Sequence, residues 1–200
     1  MKLFILASFI GLTANMSLPA PEHAPEKSPN TPNATFKIDT TVYAFYDQVI
    51  KLHNGTIKKD GVLVEKALVF PSEGIPLGKT DAALNMGDGI VYLFDGIMAH
   101  AFSLPKQPDA PFAYDVTKSN TIQRLFQLPS SWSRIDAAIR KDANTLLFFN
   151  DYELVVYDLH LKRARPPIKI MESTYSGLIR GKTVQAAFRN NSNQMVYLLR

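Results

Sequence analysis

The 200-residue chain is 46% hydrophobic and 20% charged, with a formal net charge of +4, which supplies one sizeable core. Its basic residues are few and scattered, so the composition carries no nucleic-acid footprint. The absence of cysteine excludes disulfides, thiol chemistry and cysteine-ligated metals.

In chain order, residues 1–20 read as a signal peptide: Lys2 supplies the positive start and Leu3 to Leu12 an almost unbroken apolar run. Ala14, Ser17 and Ala20 offer small residues for cleavage. The run is shorter than the roughly 20 apolar residues a membrane span needs, and no later segment comes close. A secreted, extracellular protein that is not transmembrane is therefore expected, with net charge +3 once Lys2 is removed. Residues 21–32, with Pro21, Pro25, Pro29 and Pro32, form an extended spacer.

From Asn33 onward the chain repeats. Asp81-Ala82-Ala83-Leu84 is followed thirteen residues after its aspartate by Phe94, and Asp136-Ala137-Ala138-Ile139 at the same distance by Phe149. In each copy a short apolar strand leads to a turn, Gly87-Asp88-Gly89 or Asp142-Ala143-Asn144. A second strand follows, Ile90 to Phe94 or Thr145 to Phe149. After a tight turn at Asp95-Gly96 or Asn150-Asp151 comes a third strand, Ile97 to Phe102 or Tyr152 to Tyr157. Short strands punctuated by Gly, Asn and Asp predict a meander of antiparallel hairpins. A further copy starts at Gln185-Ala186-Ala187-Phe188, with a turn at Asn191-Ser192-Asn193 and a second strand over Gln194 to Leu198. The first copy is worn: Asn33-Ala34-Thr35-Phe36, a turn at Asp39-Thr40-Thr41, then strands Val42 to Tyr46 and Val49 to His53. The starts Asn33, Asp81, Asp136 and Gln185 lie 48, 55 and 49 residues apart.

The links rhyme as well. Phe70, Phe126 and Tyr175 each precede a motif by ten or eleven residues, with Pro76, Pro129 or Gly177 between. Thr121 to Phe126 reads as a short helix with Ile122, Leu125 and Phe126 on one face. Repeats of this length predict an all-β fold, a four-bladed β-propeller with short helical links over residues 33–200. The chain stops after the second strand of its last copy, so the fourth blade is expected to be incomplete. A fragment, or completion by another chain, would explain that, and an open edge invites self-association.

The Asp-Ala-Ala-apolar motif, its turn and the aromatic strand ending Phe94-Asp95-Gly96 or Phe149-Asn150-Asp151 resemble the hemopexin-like repeat. Leu128-Pro129-Ser130-Ser131-Trp132 leading into Ile135-Asp136 is similar to that family's lead-in to a blade. The resemblance covers Asn33 to Arg200. It implies a central channel in which the backbone carbonyls of Asn33, Asp81, Asp136 and Gln185 coordinate a structural calcium or sodium ion, and oxygen ligation suits a hard cation. The competing reading makes these residues strand starts that cap a turn. The disulfide that ties first to last blade in many relatives has no counterpart here.

No enzyme motif is present: no His-Glu-x-x-His helix, serine elbow, P-loop or dinucleotide glycine pattern. His23 lies in the spacer, whereas His53, His100 and His160 fall in or just after third strands. These three are candidate axial ligands for haem, which some members of the family bind, against the plainer reading of strand histidines without a ligand. Asn54 and Asn190 are the glycosylation candidates; Asn33 also lies in a sequon but conflicts with a channel role. The cluster Lys162, Arg163, Arg165 and Lys169 reads as a solvated strand edge, and Trp132 as a residue buried between blades.

The expected function is non-enzymatic extracellular binding of a small ligand, haem or a polyamine, or of a protein partner. The alternatives are a matrix-adhesion module and the hemopexin-like part of a metalloprotease-related protein lacking its catalytic domain.

Overall fold

A computed structural model describes residues 31–47, 49–54, 61–71, 79–107, 110–170, 183–190, 192 and 194–199. The expected signal peptide, most of the spacer, and Pro76, Tyr175 and Gly177 of the links lie outside them.

The fold is all-β, with four antiparallel sheets among the described residues. The first runs β1 (Ala34–Ile38), β2 (Thr41–Tyr46), β3 (Val49–Asn54), β4 (Val62–Glu65) in chain order, followed by the single turn α1 (Lys66–Val69). The second holds β5 (Ala82–Asn85), β6 (Ile90–Asp95) and β7 (Met98–Ser103), with two outer pieces, β8 (Ala113–Tyr114) and β9 (Asn120–Thr121), both paired to β7. After α2 (Ile122–Phe126) the third repeats this plan. It has β10 (Ala137–Arg140), β11 (Thr145–Asn150) and β12 (Glu153–Asp158), with β13 (Arg163–Ala164) and β14 (Ile168–Lys169) along β12. The fourth contains β15 (Val184–Arg189) and β16 (Met195–Leu199).

The repeat seen in sequence is a repeat of register. Ala34 faces Phe45, Ala82 faces Phe94, Ala137 faces Phe149 and Ala186 faces Leu198. The second and third strands meet through two-residue turns in the first three sheets, each opening on a residue of positive φ: Asp47 at 51°, Gly96 at 54° and Asp151 at 48°. Tight hairpins need that backbone conformation, and Gly or Asp tolerates it. The strands exceed the expected limits by about a residue, and the third strand of the second sheet begins at Met98 rather than Ile97.

Sheets bury their faces against one another. Phe36, Phe45 and Ile50 pack with Val91, Leu93 and Phe102 between the first two sheets. Leu84, Tyr92 and Phe94 pack with Leu146, Phe148 and Val155 between the second and third. Leu147, Phe149 and Leu154 pack with Val184 and Ala187 between the third and fourth. The link aromatics are the wedges: the Phe70 ring meets Phe36, Phe45, Phe102 and Phe112, and the Phe126 ring meets Tyr92, Phe94, Phe148 and Tyr157. Thr121 caps α2 by accepting the Arg124 N–H at 3.3 Å, and Gln127 ends it at φ 52°. Trp132 is buried as expected, its indole N–H donating to Glu153 Oε2 at 2.7 Å.

The motif strands are the innermost of each sheet and touch one another in a cycle: β1 lies against β5 and β15, and β10 against β5 and β15. They run side by side at matched height, since Thr35 Oγ1 donates to the carbonyl of Ala187, both third residues of their motifs, at 3.0 Å. Small residues, Ala34, Ala82, Ala137 and Ala186, sit near the start of the four strands and are buried there. Their size permits this close approach of backbones.

Candidate functional site

Because the inner strands run in parallel, equal positions of the motif gather at equal depth. The cycle has two ends of different chemistry.

At the motif starts, side chains are tied to their own sheets. Asp81 Oδ2 accepts the Gly96 N–H at 3.0 Å, Asp136 Oδ2 accepts the Asp151 N–H at 2.7 Å, and Asn33 Nδ2 donates to Asp47 Oδ1 at 3.0 Å. Each therefore caps the hairpin between second and third strands, the competing reading of these positions. Asp136 is 0% exposed and also pairs with Arg134, Nε to Oδ1 at 3.0 Å. In the fourth sheet Gln185 is fully buried; its Nε2 donates to the Thr31 carbonyl at 3.4 Å, and its Oε1 finds no hydrogen-bond partner among the described residues.

Among the described residues no three carboxylate or imidazole side chains gather to hold a metal. A cation at this end would have to rely on main-chain oxygens, the ligands implied by the family resemblance. The orphaned buried side-chain oxygen of Gln185 is a hard donor, which fits calcium or sodium rather than a transition metal.

At the other end stands a girdle that the sequence reading missed. The fifth residue of each motif is Lys37, Asn85, Arg140 or Arg189, and each reaches the preceding sheet's backbone. Asn85 Nδ2 donates to the Lys37 carbonyl at 2.7 Å, Arg140 Nη1 to the Met86 carbonyl, Arg189 Nε to the Arg140 carbonyl at 3.1 Å, and Lys37 Nζ to the Asn190 carbonyl at 3.0 Å. The four bonds close a circle. Gly87, at φ +76°, makes room for the second, since a Cβ there would overlap the Arg140 guanidinium. The signal was present in sequence, one residue beyond the apolar motif. Lys, Asn and Arg share donor capacity, not length or identity.

The girdle rings a cavity of about 330 Å³, at the lower end of the roughly 300–1,000 Å³ of small-ligand pockets. Phe36, Leu84, Ile139 and Phe188, the fourth motif residues, are among its lining, but all four are buried, and Phe36, Leu84 and Ile139 pack into the clusters between sheets.

None of the three candidate haem ligands lines this cavity. His53 on β3 and His100 on β7 are 4% and 6% exposed, and His160, in the turn after β12, is exposed. They belong to three different sheets and are not brought together. Burial, chiefly, lowers the affinity of His53 and His100 for a proton, with Lys51 adding to it at His53 and Asp95 opposing it at His100.

Asn54 ends β3 exposed. Asn190 is engaged: its Nδ2 donates to Gln194 Oε1 at 3.0 Å and its Oδ1 accepts the Gln194 N–H at 2.9 Å, closing the last hairpin. Lys162, Arg163, Arg165 and Lys169 are all exposed on and around β13 and β14, the solvated edge expected of them.

Comparison with solved structures places this fold. It is similar to a hemopexin-fold protein from cow pea, at TM-score 0.70 and 17% identity over 84% of this chain and 81% of that one. A seed albumin of Lathyrus sativus matches at TM-score 0.70 and 14% identity, over 86% and 83%. A plant lectin with two metal binding sites from Cicer arietinum matches at TM-score 0.68 and 14% identity, over 84% and 82%. These likenesses show a hemopexin-like fold at the level of overall architecture. No family model and no curated protein matches the sequence.

Proposed function

We propose that the chain is a secreted, non-enzymatic binding protein built as a four-bladed hemopexin-like propeller, whose ligand occupies the mouth of the central channel. The observation that carries this reading is the 330 Å³ cavity enclosed by β1, β5, β10 and β15, with a polar rim held rigid by inter-sheet hydrogen bonds. A calcium or sodium ion held by the main-chain oxygens of Asn33, Asp81, Asp136 and Gln185 would pin the opposite end, and the neighbour described as a two-metal plant lectin lends that part support. Such an ion binds the folded ring alone, so it stabilises in proportion to its occupancy.

Two measurements test these points. Thermal unfolding of the full chain should shift down on addition of a chelator and recover with calcium; a melting curve indifferent to both rejects the calcium site. Haem and spermine titrations, read by Soret absorbance and by calorimetry, should give saturable binding at one ligand per chain if either is the ligand. A haem signal that survives substitution of His53, His100 and His160 would remove the imidazole-ligated haem reading.

A second reading, a protein-adhesion module, is favoured by one observation. Val62 and Leu63 on the edge strand β4 and Leu68 on α1 are 66%, 65% and 67% exposed, an apolar strip on an outer edge. Retention on immobilised matrix protein that disappears in Leu63→Asp and Leu68→Asp variants would establish it; unchanged retention would exclude this edge.

A further inference from the structure

The cavity is lined by more cationic than acidic side chains, which favours an anionic ligand over a polyamine. Of its lining residues, Lys37, Arg140 and Arg189 are cationic and Asp142 alone is acidic. The Asp142 carboxylate is occupied with its own turn, Oδ1 accepting the Asn144 N–H at 2.9 Å. Among the described residues neither Lys37 nor Arg140 has a carboxylate partner; their hydrogen bonds go to main-chain carbonyls. Those bonds hold the heads in place without neutralising them. An ammonium has three N–H donors and a guanidinium five. One is used on Lys37 and three on Arg140, so two remain on each.

Three fixed cations around a partly enclosed cavity focus positive potential on its mouth. A polyamine entering here meets like charge. An oxyanion meets preorganised donors whose ordering has already been achieved in the free protein.

We propose that this mouth is an anion site, taking a small molecule that carries a multiply charged oxyanion, phosphate first of all, against Lys37, Arg140 and Arg189. The inference rests on the binding reading above and names its ligand class.

The test is calorimetric titration of the folded full chain with pyrophosphate, with citrate to separate phosphate from carboxylate recognition and spermine as the cationic counterpart. One pyrophosphate per chain should bind, weakening as salt is raised. Lys37→Gln and Arg189→Gln should each weaken it at least about tenfold, as loss of about 1.4 kcal/mol of interaction would, with circular dichroism unchanged. Arg165→Gln, outside the cavity, should leave it alone. Lys37→Gln keeps a donor for the Asn190 carbonyl, which guards against loss of the fold. Citrate binding as tightly as pyrophosphate would overturn the preference for phosphate. No saturable pyrophosphate binding, or binding that ignores both variants, overturns the anion site. Haem or spermine binding persisting in that case would leave the broader binding reading standing. Spermine binding abolished by Asn85→Ala and strengthened by Lys37→Gln would assign the cavity to a cation and also overturn the proposal.

Discussion

Asp136 joins an apolar motif to a turn one strand away. It is fully buried, with one oxygen on Arg134 Nε and the other on the Asp151 N–H. Arg134 is 43% exposed, so removing Asp136 chiefly loses buried charge-assisted hydrogen bonds, at a cost of about 1–3 kcal/mol. Asp136→Ala should therefore lower stability by that order in urea unfolding, and Asp136→Asn, which keeps an acceptor and the shape, by clearly less. Equal losses would mean that the charge does not matter there. The buried histidines set a pH dependence. Burial depresses the proton affinity of His53 and His100 in the fold below the ordinary value of 6.5. The unfolded chain then binds more protons as pH falls through about 6.5, and stability drops from there toward the lower folded values. Each unit of depression is worth about 1.4 kcal/mol. Denaturation at pH 7.5 and 5.5 should show the fall, and His100→Leu should flatten part of it; an unchanged slope would remove His100 as a cause.

At the scale of elements, a sheet of this size cannot bury both faces alone, and the links supply the missing volume. The Phe126 ring stands among four aromatic rings from two sheets. Phe126→Ala should cost about 3–5 kcal/mol, the range for a large aromatic removed from a core, whereas Gln127→Ala just after it should cost far less. Chemical denaturation of both variants checks this, and a mild Phe126→Ala effect would show the wedge to be dispensable. Much at this scale was readable from the chain. Asp-Ala-Ala followed at constant distance by an aromatic fixed strand, turn and register together, because strand pairing ties those positions to one geometry. The two-residue strands β8, β9, β13 and β14 were not readable, since so short a segment has no periodicity and pairs through its backbone. The girdle was hidden for a related reason: its acceptors are main-chain carbonyls, which leave no mark on sequence, and its donors vary in type.

For the whole molecule, the decisive feature is that β15 returns to β1. Three pairs of neighbouring sheets share extensive apolar clusters, and the return contact is marked by Thr35 bonding Ala187 and Lys37 bonding Asn190 across about 150 residues of sequence. That contact turns a row of sheets into an enclosure and gives the cavity its fourth wall. The sequence repeat makes a ring expected, whereas the different chemistry of the two ends of the strand cycle follows from equal motif positions gathering at equal depth, which no local pattern encodes. The absence of cysteine allows a clean test. In a Lys37→Cys, Asn190→Cys double variant, a short bifunctional thiol cross-linker applied to dilute protein should give an intramolecular bridge in high yield, read by mass spectrometry and lost in urea. A ring that does not close would give only single-ended or intermolecular adducts, and the channel and its ligand site would fall with it.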